Sequence, residues 1–158
     1  MPIDNRKLII RRLGEHAEEI ESFTNGLTEG QLKERPAPGR WSLHEVAMHV
    51  VEVQDIFVER IARILVEDGP EIVPFEPDTA RQEGLYLAED LSRRMKEFYE
   101  QRKNLLGLAQ TLTDEQWIRE GNHPEVKHYT VEKCLEAMMR HEEHHLYQMF
   151  NLFFGTKN

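Results

Sequence analysis

An all-α, four-helix bundle is the fold this sequence predicts, and three observations predict it. Four long segments carry apolar residues at three- and four-residue steps, the period of a helix with one buried face. No run of β-branched residues lies between turn signals, because Pro74 interrupts the one short candidate, Glu71 to Phe75. Pro, Gly and capping residues punctuate the chain so that each periodic segment is roughly 20 to 30 residues long, the length a bundle uses.

The first helix runs from about Asn5 to Phe23, with Leu8, Ile9, Leu13, Ala17, Ile20 and Phe23 on its apolar face. Pro36, Pro38 and Gly39 mark the following loop, in which "TEGQLKER" after Leu27 has room for one helical turn. The second helix opens at Ser42, whose partner three residues on, Glu45, completes a capping box. Its stripe is Val46, Val50, Val53, Phe57, Ile61 and Ile64, and it ends near Asp68-Gly69-Pro70. "PEIVPFEP" then reads as extended loop. The third helix starts after Asp78 and carries Leu85, Leu91, Met95, Phe98, Leu105 and Leu108. Thr113 caps the short turn "TDEQWI", and "REGNHPEVKHY" reads as loop. The fourth helix starts at Thr130, runs to about Phe154 and stops at Gly155. The connections between helices 1 and 2 and between helices 3 and 4 are long for a bundle, and long loops often carry function.

Composition bounds what such a bundle does. The chain has 158 residues, suited to one domain spanning 1–158 with a real core. It is 39% hydrophobic and 31% charged, the balance of a soluble globular protein rather than a disordered one. No apolar run approaches the roughly 20 residues that span a bilayer, and the first residues lack the apolar core of a signal peptide. Cys134 stands alone, so no intrachain disulfide is expected and a reducing cytoplasm fits best. A net charge of -9 disfavours binding to nucleic acid or anionic membranes. The basic stretch "RKLIIRR" reads as a solvated helix face.

Chemistry concentrates in the fourth helix. His141, Glu142 and His145 spell H-E-x-x-H, a pattern that on a helix often belongs to a zinc protease. A zincin takes its third ligand downstream, and the thirteen residues after His145 contain no His, Asp, Glu or Cys. Glu142 therefore reads as a coincidence in a Glu-rich helix. The histidine pair is harder to dismiss. At i and i+4 the two imidazoles stack one turn apart toward the bundle interior, whereas His144 points away. Two buried imidazoles each need a partner, and one ion about 2.0–2.1 Å from both would serve. A third ligand has to come from upstream, from His16, His44, His49, His123 or His128. Among these His49 has the best geometry for facing the fourth helix.

Two stretches extend the argument over nearly the whole chain. "LTEGQLKERPAPGRWSLHEVAMHV" leads into the second helix through W-S-x-x-E-x-x-x-H. "LTDEQWIREGNHPEVKHYTVEKCLEAMMRHEEHHLYQ" holds a short L-T-D-E-x-W-x-R turn, an H-P loop and a closing H-x-x-x-H-x-x-Q. In this order and spacing the sequence resembles the DinB/YfiT-like family of metal-binding four-helix bundles. The resemblance implies a metal triad at His49, His141 and His145, and helices that do not simply alternate up and down. Tyr147 departs from the family's pattern, standing where Gly or Ala is usual.

The resemblance also implies chemistry. Three histidines leave one coordination position open, as catalytic rather than structural sites do. Characterised members of the family include thiol S-transferases and a thiol-dependent isomerase. The expected function is thus a metal-dependent enzyme of the thiol S-transferase type acting on small electrophiles. It would use one divalent ion per chain, zinc or nickel, and a low-molecular-weight thiol. The alternative is a non-catalytic, metal-stapled binding or regulatory protein of a stress response. Expected partners are a small-molecule substrate or thiol, and a homodimer is compatible with the family. Glu52 reads either as an orienting group one turn after His49 or as a surface Glu. Gln148 reads as a support for the site or as structural, and Cys134 as a small core residue.

Overall fold

The computed structural model describes residues 4–76 and 84–156. Four long helices dominate it: α1 (Asn5–Thr24), α3 (Leu43–Val66), α4 (Leu91–Thr111) and α6 (Val131–Thr156). Two short helices sit in the connections, α2 (Glu29–Lys33) and α5 (Asp114–Trp117). A 3-10 turn covers Leu85–Ala88, and two-residue strands β1 (Glu120–Gly121) and β2 (Tyr129–Thr130) pair antiparallel.

The starts of these helices follow from side-chain chemistry. The Asp4, Ser42, Asp90 and Thr113 side chains each accept from the backbone N–H three residues on, satisfying a donor that the helix itself leaves unpaired. Ser42 and Glu45 form the full reciprocal box at α3. Thr130 caps α6 one way only, its hydroxyl accepting from Lys133 N at 3.1 Å. Arg119 closes the opposite end of α3, donating to the carbonyls of Ile64 and Glu67 at 2.8 and 2.9 Å.

Around the bundle, α1 packs on α6, α6 on α3, α3 on α4 and α4 on α1, so α1 faces α3 across the diagonal. The core shows the directions. One apolar cluster joins Ile20, the first half of α3, Met95 and Phe98, and Leu146 to Leu152. The other joins Ile9 and Leu13, Ile61 and Ile64, Leu105, and Val131 to Met138. Consequently α1 and α6 run one way while α3 and α4 run the other. An up-down-down-up order explains the connections. The first and last cross a diagonal. The middle one joins parallel neighbours, so the end of α3 and the start of α4 lie at opposite ends of the bundle. The length of this connection was not singled out by the sequence, which marked only the two diagonal crossings.

Between the two apolar clusters lies a polar layer with one residue from each long helix: His16, Gln54, Arg102 and Glu142, all buried. Arg102 donates to Leu13 O at 2.6 Å, to Gln54 Oε1 at 2.8 Å and to the Glu142 carboxylate. His16 Nδ1 lies 3.2 Å from Glu142 Oε1.

Several boundaries differ from the sequence expectation. The third long helix begins at Leu91, where Asp90 supplies the cap, and Leu85 belongs to the 3-10 turn with its side chain 55% exposed. The expectation for residues 77–83 lies outside the described residues. The fourth helix continues through Gly155 to Thr156. "REGNHPEVKHY" is not all loop, since β1 and β2 lie within and beside it. Gly121 is required there, because an added Cβ would stand 2.9 Å from Ile72.

Candidate metal centre

His49 and the pair His141 and His145 face each other where α3 packs on α6. One ring nitrogen from each lies within 4.8 Å of the others, and ring centroids are 4.4–4.9 Å apart. His49 and His145 are buried and His141 nearly so. Burial, helped by the neighbouring imidazoles, pulls His49 down to about 4 and His141 down to about 3. Burial also lowers His145, against the opposing pull of its bond to Gln148. All three are therefore neutral at physiological pH, the form in which imidazole binds a metal.

The polar partners of the rings decide which nitrogens remain available. His145 Nδ1–H donates to Gln148 Oε1 at 2.9 Å, so its Nε2 carries the lone pair. His49 Nδ1 lies 3.5 Å from the Tyr86 hydroxyl, which itself donates to the Glu52 carboxylate. His49 Nε2 instead stands 3.0 Å from His141 Nε2. Two lone pairs at that separation repel unless a proton or a cation sits between them. His141 Nδ1 is buried with no hydrogen-bond partner among the described residues. This donor set fits one divalent ion bound by three neutral imidazoles.

Tyr86 is held in place from behind. His44 Nε2–H donates to Tyr86 O at 2.8 Å, fastening the 3-10 turn to the first turn of α3. Trp41, just before the Ser42 cap, lays its ring 5.1 Å from His49 and 5.7 Å from Tyr86. An open cleft of about 740 Å³ adjoins the cluster through Trp41 and Gln148.

The remaining histidines are placed elsewhere. His16 belongs to the polar layer, and His44 serves Tyr86. His123 accepts from Glu125 N, and the exposed His128 pairs with Glu120. His144 is exposed, stacked on the edge of His145. Glu142 turns to Arg102 and His16, away from any role as a base beside the histidines. Cys134 is fully buried, and burial pushes its thiol up to about 11, so it is no nucleophile. Tyr86 escaped the sequence reading. The sequence placed its neighbour Leu85 on the third helix, and only contacts with residues distant in sequence, His49, Glu52 and Trp41 among them, reveal it.

An up-down-down-up bundle with three histidines meeting across two helices defines a class of metal-binding helical proteins. The chain belongs to the DinB superfamily, whose family model matches residues 12–149. It is similar to "Putative metal-dependent hydrolase OB0413" of Oceanobacillus iheyensis, 25% identical over 148 residues, 89% of this chain and 84% of that protein. It is likewise similar to "Putative metal-dependent hydrolase YfiT" of Bacillus subtilis, 25% identical over 138 residues, 87% of this chain and 78% of that one. The solved YfiT structure superposes with a TM-score of 0.82 at 24% identity, covering 96% of this chain and 87% of that chain. Its description as a four-helix bundle of unusual topology agrees with the order found here. Among the described residues no helix is long and apolar enough to cross a membrane.

Proposed function

We propose that this chain is a metal-dependent enzyme of the thiol S-transferase type, acting on small electrophiles, with His49, His141 and His145 as the ligands of one zinc or nickel ion. The observation that carries it is the meeting of three neutral imidazoles beside an open cleft. Bound there, the ion supplies Lewis acidity that lowers the pKa of a thiol or water at its remaining position. The protein's own groups do the rest. Gln148 fixes the tautomer of His145, and Tyr86 with Glu52 orients His49. Trp41 covers one side of the His49 ring and forms a wall of the cleft that admits a small molecule.

Hydrolysis is the second reading, and the names of two relatives favour it. It uses the same ion and cleft, with water in place of the thiol. A purely structural metal is the remaining alternative, and the same experiment tests it, since Trp41 and Gln148 rather than the histidines themselves line the cleft. The test is metal analysis of protein without a polyhistidine tag, followed by conjugation of a chromogenic electrophile with a panel of low-molecular-weight thiols. The expected result is thiol-dependent turnover that chelator and His49→Ala both abolish. Turnover of an activated ester without thiol would favour the hydrolase. Loss of both activities at full metal loading would leave a scaffold.

A further inference from the structure

Resting on the thiol reading above, we propose that the cleft beside the histidines selects a thiol that carries a carboxylate, and that Arg40 binds that carboxylate. The cleft is lined by Glu34, Arg35, Arg40, Trp41, Gln148 and Asn151 among others. Arg35 is already engaged, its Nε and one terminal nitrogen both 2.7 Å from Glu45 oxygens. Arg40 is exposed, and its guanidinium has no acidic or hydrogen-bonding partner among the described residues. It is the cleft's uncommitted cation, on a protein whose net charge is -9. Gln148 gives its carbonyl oxygen to His145, so what it offers the cleft is its NH2 group. The ligand set adds to the case: three neutral imidazoles leave a divalent ion its full charge. Glu34 opposes an anion. So do the carbonyl groups at the end of α6 near Gly155, which draws the carboxylate toward Arg40 and away from that end. A planar guanidinium is the group best matched to a carboxylate.

The experiment has two independent arms. In the first, cobalt-loaded protein is titrated with 2-mercaptoethanol, and a sulfur-to-metal charge-transfer band reports the thiol reading alone. In the second, tryptophan emission follows binding of ω-mercapto acids of two to six carbons against the ω-mercapto alcohols of equal length. Trp41 walls the cleft, while Trp117 lies in the other apolar cluster and gives a constant background. At low ionic strength at least one acid should bind about tenfold more tightly than its alcohol. Arg40→Gln should remove that preference, and Glu34→Gln should enlarge it. Equal binding of every acid and its alcohol overturns the proposal, as does a preference that survives Arg40→Gln. Failure to see saturation with any of them also overturns it. If the first arm shows no band while the second behaves as expected, the carboxylate site stands and the thiol chemistry falls.

Discussion

His49 is a ligand candidate whose ring is set by a residue it does not neighbour in sequence. Tyr86 stands between Glu52 and His49 Nδ1, and His44 holds the Tyr86 backbone from the other side. Groups that hold the second nitrogen of a metal-binding histidine commonly contribute a factor of about 10 to 100 in affinity. Tyr86→Phe should accordingly weaken metal binding about tenfold in a competition assay with a chromophoric chelator. His144→Ala should leave it unchanged, because that ring faces solvent. A Tyr86→Phe protein that binds metal as tightly as the parent would show that the hydroxyl plays no part in orienting His49. How legible the site was in the sequence differs residue by residue. The i, i+4 spacing alone brings His141 and His145 together, since any helix does so. His49 was preferred among five upstream histidines for its position on the second helix, and the W-S-x-x-E-x-x-x-H resemblance then settled the choice. Tyr86 was out of reach, because its role depends on a backbone bond from His44 across a non-periodic connection. Glu142 matched a motif by letters only, and its meaning came from Arg102, on a different helix.

At the scale of the element, α3 supplies His49 to the site and α6 the other two histidines, and the N-terminus of α3 is the part the sequence specifies best. Ser42 and Glu45 satisfy each other's backbone donors, and Glu45 is gripped by Arg35 from the preceding loop. Burial alone would raise the Glu45 carboxyl, but the bonds from Arg35 and Ser42 outweigh it and hold the group below its usual range. Because Trp41 precedes the cap and His44 and His49 follow it, the cap also sets the register of the site. Ser42→Ala should cost about 1 kcal/mol of stability, read from urea denaturation midpoints. Its metal affinity should fall with it, whereas an equal loss from Thr113→Ala at α5 should leave metal binding alone. A Ser42→Ala variant that matched the parent in both would mean the loop packing, not the cap, starts α3. The caps of α3 and α5 were readable because they are local. The β1–β2 pair was not, since two residues carry no period, and the start of α4 was misplaced because Leu85 mimics one more turn of an apolar stripe.

The whole molecule is divided by its polar layer, which sits between the two apolar clusters. Periodicity could not find the layer: a buried Arg or Glu in a charge-rich helix looks like a solvated one until its partner on another helix is seen. Removing one member of a buried ion pair strands the other and commonly costs about 3–5 kcal/mol, a large share of a domain's net stability. Glu142→Leu should therefore lower the midpoint sharply, and adding Arg102→Met should recover much of the loss. A single variant as stable as the parent would mean the layer is wet rather than buried. The histidine cluster makes a second, pH-dependent demand on the fold. His49 and His141 are depressed from 6.5 to about 4 and about 3, burial being the main cause. An unfolded chain takes up protons at these sites first. Their contribution is thus complete above about pH 6.5 and is lost as pH falls through that value toward about 4 and then about 3. Metal-free protein should hold a steady melting midpoint above neutrality and lose it progressively below about pH 6.5. His141→Phe, which keeps a ring but cannot titrate, should show a shallower acid slope. Metal adds to this by mass action on the folded state, and protons compete for the same nitrogens. Metal-loaded protein should melt above chelated protein at about pH 7.5, and the gap should close by about pH 5. Melting curves with and without chelator at both pH values decide it. Identical midpoints at the higher pH, with the ion shown to be bound, would place that ion somewhere other than between α3 and α6.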